Sequence, residues 1–260
     1  MLTEKQAILI LGGSEMAYQL AKTLQNEEGL RVISSLAGRT KNPRLPAGEW
    51  RIGGFGGVDG LVNFLHNYKI RLMIDATHPF ARNIKANALK AARLSGVCLL
   101  RLQHPPWQQQ IGDYWMEVDD ENQAAAILPT GATVFLALGR QHLHAFRQRQ
   151  DVNFIARMIE KPDDFPSFSL MKIILDRPKN KDQEIFLLRD YKIDYLVCRN
   201  SGAQTSYAKI AAARDLSLPV VMIKPPSLPI DIAVITDIEA ARNYVNRLFK
   251  QGIIDHQKPY

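Results

Sequence analysis

Apolar residues along this chain fall into short runs that stop abruptly at glycines or polar groups. Ala7 to Leu11 is a continuous apolar run ending at Gly12-Gly13. Such a run suits a strand buried on both faces. Met16, Leu20 and Leu24 then recur every four residues, a helical period, with Gly29 beyond the end. Arg31 to Ser35 reads as a second strand. Gly53-Gly54-Phe55-Gly56-Gly57 leads into a helix with Val58, Leu61, Val62 and Leu65 on one face, and Arg71 to Asp75 reads as another strand. Pro79 is expected to open the next helix, where its fixed φ fits the first turn. That helix runs towards Ser95 and stops at Gly96, and Val97 to Leu102 follows as a strand. Strands alternating with helices predict parallel pairing in a doubly wound sheet.

Gln103 to Gly112 interrupts the alternation. Its Pro105-Pro106-Trp107 segment reads as the crossover to a second domain, because paired prolines end regular structure. The pattern then resumes, with strands expected at Thr133 to Leu138, Asn153 to Ile159, Tyr195 to Arg199 and Pro219 to Ile223. Helices are expected after Asn200 and from Asp237 to Phe249, whereas Phe165 to Arg177 shows no clear period. The expected domains are 1–104 and 113–260 with 105–112 as linker, the last helix being a candidate to pack back on the first domain.

The chain has 260 residues, 46% of them apolar and 23% charged, which is an ordinary globular balance. It lacks the long apolar run of a membrane span, and its first residues lack the apolar core of a signal peptide. Cys98 and Cys198 are its two cysteines and sit in strand-like runs. They read as buried thiols in a reducing cytoplasm, and two cysteines make no metal framework. The net charge of +7 favours anionic ligands. Basic residues are scattered and do not alternate with aromatics, so a small polyanion fits as well as nucleic acid, and nucleic acid is not the expected partner.

Candidate chemistry lies where strands give way to helices, the place where open α/β sheets bind ligands. Gly12-Gly13-Ser14 stands in the position of a dinucleotide loop, although Ser14 replaces its second glycine. Ser14 can cap the helix or donate to a phosphate. An enzyme using NAD usually places an acid about 20 residues after this loop. Here no acid occurs between Glu28 and Glu49, while Ser35, Arg39 and Thr40 offer hydroxyls and a cation. A bound dinucleotide is therefore expected to be NADPH. Gly54, Phe55 and Gly56 lie in a run whose glycines let backbone N–H groups approach a ligand. Asp75, Thr77 and His78 could act as an acid/base pair beside a helix cap, or as a cap and a backbone-bonded histidine. Arg140 is a candidate carboxylate clamp. Asn200, Ser201, Gly202, Tyr207 and Lys209 gather donors at the corresponding junction of the second domain. No metal site is expected, since His142 and His144 are two residues apart.

Taken in order, these strings resemble the precorrin-6A reductase family, including its cobalt-precorrin form. The strings are Leu11-Gly12-Gly13-Ser14, Ser35-Leu36-Ala37-Gly38-Arg39-Thr40, Gly53-Gly54-Phe55-Gly56-Gly57 and Asp75-Ala76-Thr77-His78-Pro79-Phe80-Ala81. They continue through Leu100-Arg101-Leu102, Pro105-Pro106-Trp107, Leu138-Gly139-Arg140-Gln141 and Asn200-Ser201-Gly202 with Tyr207-Ala208-Lys209. The chain departs from the family pattern at Met16, where a glutamate is usual, and at Cys198-Arg199. The resemblance implies two Rossmann-like domains with the active site in the cleft between them. It implies NADPH-dependent reduction of one double bond in a polycarboxylate tetrapyrrole, in the cytoplasm, with transient contact to neighbouring pathway enzymes. Gly12, Gly13, Ser14, Ser35, Arg39, Thr40, Gly54, Phe55, Gly56, Asp75 and Thr77 are then the expected cofactor residues. His78, Arg140, Asn200, Ser201, Gly202 and Lys209 are the expected substrate residues. Lys209, His78, Tyr207 and solvent are the candidate proton donors, with Lys209 favoured as a neutralising charge because an unperturbed lysine is a sluggish acid. The alternative from another class is a non-catalytic NADPH-binding sensor on the same fold.

Overall fold

The computed structural model describes residues 5–38, 43–159, 171–227 and 232–250. In chain order the elements are β1 (Gln6–Leu11), α1 (Glu15–Leu24), β2 (Leu30–Leu36), β3 (Glu49–Ile52), α2 (Gly57–Asn67), β4 (Ile70–Asp75), α3 (Arg82–Ser95) and β5 (Cys98–Leu102). Then come β6 (Trp115–Val118), α4 (Glu121–Ala126), β7 (Thr133–Ala137), β8 (Asn153–Met158), β9 (Met171–Leu175), α5 (Lys181–Asp190), β10 (Tyr195–Arg199), α6 (Ala208–Asp215), β11 (Val220–Ile223), β12 (Ala233–Ile235) and α7 (Ile238–Lys250). They build two six-stranded parallel sheets. The chain divides into two compact units, one running to Pro105 and resuming at Ser227, the other Pro106–Pro226.

The first sheet has the order β12-β5-β4-β1-β2-β3. Ile8 and Ile10 of β1 pack with Met16, Leu20 and Leu24 of α1 and with Ala241 and Val245 of α7. Leu9 and Leu11 point to the other face, against Leu61 and Leu65 of α2 and Ala88 and Ala91 of α3. Burial on both faces is why this strand is apolar without alternation. The strand order reverses direction at β1 and β4, so the ligand crevice of such a sheet lies beyond their carboxyl ends. From the sequence, 113–260 is one domain; by packing, β12 pairs with β5 and α7 covers the first unit's core.

The helix expected from Pro79 begins three residues later. Pro79 and Phe80 form a turn in which the Ala81 N–H donates to the His78 carbonyl at 2.9 Å, and α3 starts at Arg82. The second sheet has the order β6-β11-β10-β7-β8-β9, so its reversal lies between β7 and β10. Phe135, Leu196, Cys198, Ile210 and Met222 belong to its core, covered by α5 and α6. Edge strands β3 and β9 stay largely uncovered; β3 has no apolar run, whereas β9 carries Ile173-Ile174-Leu175 without full burial.

Candidate functional site

One row of register partners crosses the carboxyl edge of the first sheet: Arg51, Ser35, Leu11, Asp75 and Arg101 on five neighbouring strands. Leu11 faces α2 and α3, and partners side by side in a parallel sheet share a face. The polar members of the row are therefore lateral neighbours. Beyond it, the Gly12 N–H donates to the Ser35 carbonyl at 2.9 Å. Ser14 caps α1 by accepting from the Ala17 N–H at 3.2 Å and donates its hydroxyl hydrogen to the Ala76 carbonyl at 2.6 Å. That hydrogen bond ties the turn after β1 to the turn after β4 and commits the Ser14 hydroxyl hydrogen, so the groups at this turn suited to an anion are backbone N–H groups at the head of α1.

The second glycine cluster makes the approachable surface the sequence suggests. Gly53, Gly56 and Gly57 have φ of +118°, +81° and +91°, values costly for other residues. A Cβ on Gly53, Gly54, Gly56 or Gly57 would meet nothing within 4 Å, so open space lies above this backbone. Gly60 has a different reason, since its Cβ would lie 1.7 Å from the Phe55 carbonyl. Arg51, overlooked in the sequence, braces this loop. Its guanidinium donates to Ser35 Oγ at 2.7 Å, the Gly53 carbonyl at 2.9 Å and the Gly54 carbonyl at 2.8 Å, and lies 4.1 Å over the Phe55 ring. An approachable backbone leading into the N-terminus of α2 fits a phosphorylated ligand. Arg39 and Thr40 lie outside the described residues.

Asp75 is not half of an acid/base pair. Its carboxylate is fully buried. Oδ1 accepts from the Thr77 hydroxyl at 2.6 Å and the Thr77 N–H at 3.1 Å, and Oδ2 from Lys85 at 3.0 Å and Arg101 Nε at 3.2 Å. Thr77 accordingly caps no helix. Asp75 and Thr77, expected to touch the cofactor, are both buried, and the Asp75 carboxylate is committed to Thr77, Lys85 and Arg101. Lys85 has its pKa lowered by burial, opposed by the attraction of Asp75. The His78 ring is exposed and its Nδ1 accepts from the Phe80 N–H at 3.3 Å, which is the backbone-bonded alternative.

In the second unit the expected residues gather at the carboxyl ends of β7 and β10, where the strand order reverses. Arg140 is exposed at the start of a short turn after β7. Arg199 Nη1 lies 2.7 Å from His142 Nε2, and His142 Nδ1 lies 2.7 Å from Glu121. A guanidinium can only donate, so Nε2 accepts and Nδ1–H donates to Glu121, which holds Glu121 below the usual carboxylate range. These bonds tie the turn after β7 to the end of β10 and the start of α4.

Asn200 is placed differently from expectation. Its Oδ1 accepts from the Trp107 N–H at 2.7 Å and its Nδ2 donates to the Trp107 carbonyl at 2.8 Å, so its amide fixes Trp107 rather than a substrate. Ser201 Oγ lies 3.3 Å from Ser206 Oγ, and Gly202 has φ +72°. The Tyr207 hydroxyl accepts from Arg214 at 2.6 Å, and Arg214 also pairs with Asp113 at 2.9 Å. Lys209 is not a solvated charge. It is buried, donates to the Ser206 carbonyl at 2.5 Å and lies 5.0 Å over the Trp107 ring. No carboxylate pairs with it among the described residues, and burial holds its pKa below the ordinary lysine value. Among the described residues no group of three or more His, Cys, Asp or Glu could hold a metal. No helix there is long and apolar enough to cross a membrane.

The family model described as precorrin-6x reductase CbiJ/CobK matches residues 7–246. The precorrin-6A reductase of Rhodococcus erythropolis is 41% identical over 94% of this chain and 99% of its own length. That of Mycobacterium tuberculosis H37Rv is 39% identical over 92% and 96%. The cobalt-precorrin-6A reductase of Priestia megaterium is 23% identical over 92% and 98%. A solved structure titled CobK precorrin-6A reductase aligns with a TM-score of 0.86 and 37% identity, over 92% of this chain and 96% of that one.

Proposed function

The chain belongs to the precorrin-6x reductase family, and on that premise we propose that it reduces one double bond of the precorrin-6A macrocycle in cobalamin synthesis, with NADPH as electron donor. The observation that carries the reading is the near end-to-end match, at 39–41% identity, with precorrin-6A reductases. Cobalt-precorrin-6A reductases stand at 22–23%, which favours the cobalt-free substrate. The free thiols Cys98 and Cys198 suit a reducing cytoplasm.

When bound, the nicotinamide supplies a hydride. The residues that would hold the cofactor are the backbone of Gly12 and Gly13, the Gly53–Gly57 loop with Phe55, and Ser35, with Arg39 and Thr40 as further contacts. NADPH over NADH is favoured by the absence of an acid between Glu28 and Glu49. Arg140, Ser201 and the Gly202 turn bind and orient the substrate, whose carboxylates suit a cation and hydroxyl donors. Lys209 holds the proton delivered to the macrocycle. Its burial weakens its grip on that proton, and Trp107, fixed by Asn200, keeps the ammonium in place. Tyr207 and His78 are assigned no proton transfer.

Anaerobic assays with precorrin-6A and with cobalt-precorrin-6A, each with NADPH or NADH, test these choices. NADPH with the cobalt-free macrocycle should give the highest kcat/KM, the 2′-phosphate being worth about tenfold or more. Equal rates with the two cofactors contradict the NADPH assignment, and equal rates with the two macrocycles contradict the cobalt-free one.

A further inference from the structure

We propose that Arg51 recognises the 2′-phosphate of the cofactor's adenosine ribose and is thereby a residue that selects NADPH over NADH; the proposal rests on the NADPH reading above. In doubly wound sheets the end of the second strand meets the ribose, and an acid there holds the 2′-hydroxyl. Here that strand ends Ser34-Ser35-Leu36, and the register partner of Ser35 on β3 is Arg51. Its guanidinium stands 2.7 Å from Ser35 Oγ, in the position where a carboxylate would repel a phosphate.

The group is prepared for an anion. Three of the five N–H groups of a guanidinium are given to Ser35 and the carbonyls of Gly53 and Gly54. The other two have no protein acceptor among the described residues, and no carboxylate pairs with Arg51 there. The plane is fixed from below, 4.1 Å over Phe55 and 5.5 Å over Phe64. A cation held rigid before binding loses little freedom on meeting a phosphate. The adjoining Gly53, Gly54, Gly56 and Gly57 leave open space beside it.

A brace for the glycine loop would also use these bonds, so the test must separate bracing from phosphate recognition. Titration calorimetry of the full chain with adenosine 2′,5′-bisphosphate and with AMP does so, in the parent, Arg51→Gln and Arg51→Lys. Gln keeps a donor for the loop carbonyls and removes the charge; Lys keeps the charge. The parent should prefer the bisphosphate by about tenfold or more. Arg51→Gln should abolish most of that preference and change AMP affinity by less than about threefold, while Arg51→Lys retains part of it. Equal weakening of both ligands, or an unchanged preference in Arg51→Gln, overturns the role of Arg51. A parent that does not distinguish the two ligands overturns the NADPH reading itself.

Discussion

Lys209→Met is expected to lower kcat by at least about a hundredfold, the lower range for a positioned general acid, while leaving the protein at least as stable as the parent. Lys209 is a buried cation with no carboxylate partner among the described residues, stabilised by one backbone carbonyl and an aromatic face. Methionine fills similar space without the charge, and removing an unpaired buried charge is commonly neutral or stabilising. The sign with pH follows from the lowered pKa. Between the folded value and 10.5 the unfolded chain binds more protons at this site, so the parent gains stability as pH rises through that window. Any advantage of Lys209→Met should therefore be largest below the folded pKa and shrink towards pH 10.5. Lys209→Arg should fail to restore turnover, because a guanidinium does not give up its proton. Kinetics and denaturant midpoints across pH check both halves. Retained kcat in Lys209→Met, or full activity in Lys209→Arg, would return the residue to the neutralising role.

Asp75→Asn should destabilise the first unit by about 3–5 kcal/mol, the usual cost of breaking a buried ion pair from one side. Asp75 is the anion to which both Lys85 and Arg101 donate, all three being buried. The isosteric amide keeps the shape and leaves two cations without their carboxylate. A fall in Tm on the order of 10 °C is expected by calorimetry. Asp75→Asn with Lys85→Met should recover part of the loss. A stable Asp75→Asn protein lacking only cofactor affinity would show that Asp75 serves the ligand directly.

Much of this architecture was legible in the sequence because burial writes itself into composition. Strands β1, β4 and β10 are covered on both faces and read as apolar runs. Edge strand β3 carries no such record, the apolar run of β9 is only three residues long, and β12, three residues in all, is too short for one. The glycine loops were legible because positive φ leaves few alternatives to glycine. What the sequence hid is direction. Asp75 ends β4, Asn200 follows β10 and Lys209 lies in the first turn of α6, all places where ligand contact is the natural expectation, yet the first supports two cations, the second clamps Trp107 and the third is buried. Arg51 was hidden on a solvent-exposed edge strand, and only its register opposite Ser35 brings it to the glycine loop. Spacing places residues along an edge but does not say which atoms are already hydrogen-bonded.

The central claim is reduction of the macrocycle, and the most direct measurement is anaerobic incubation of the purified protein with precorrin-6A and NADPH, following NADPH absorbance and product mass together. One NADPH should be oxidised per macrocycle, with a product heavier by two hydrogens. A protein that binds both compounds and leaves NADPH absorbance and macrocycle mass unchanged would contradict it.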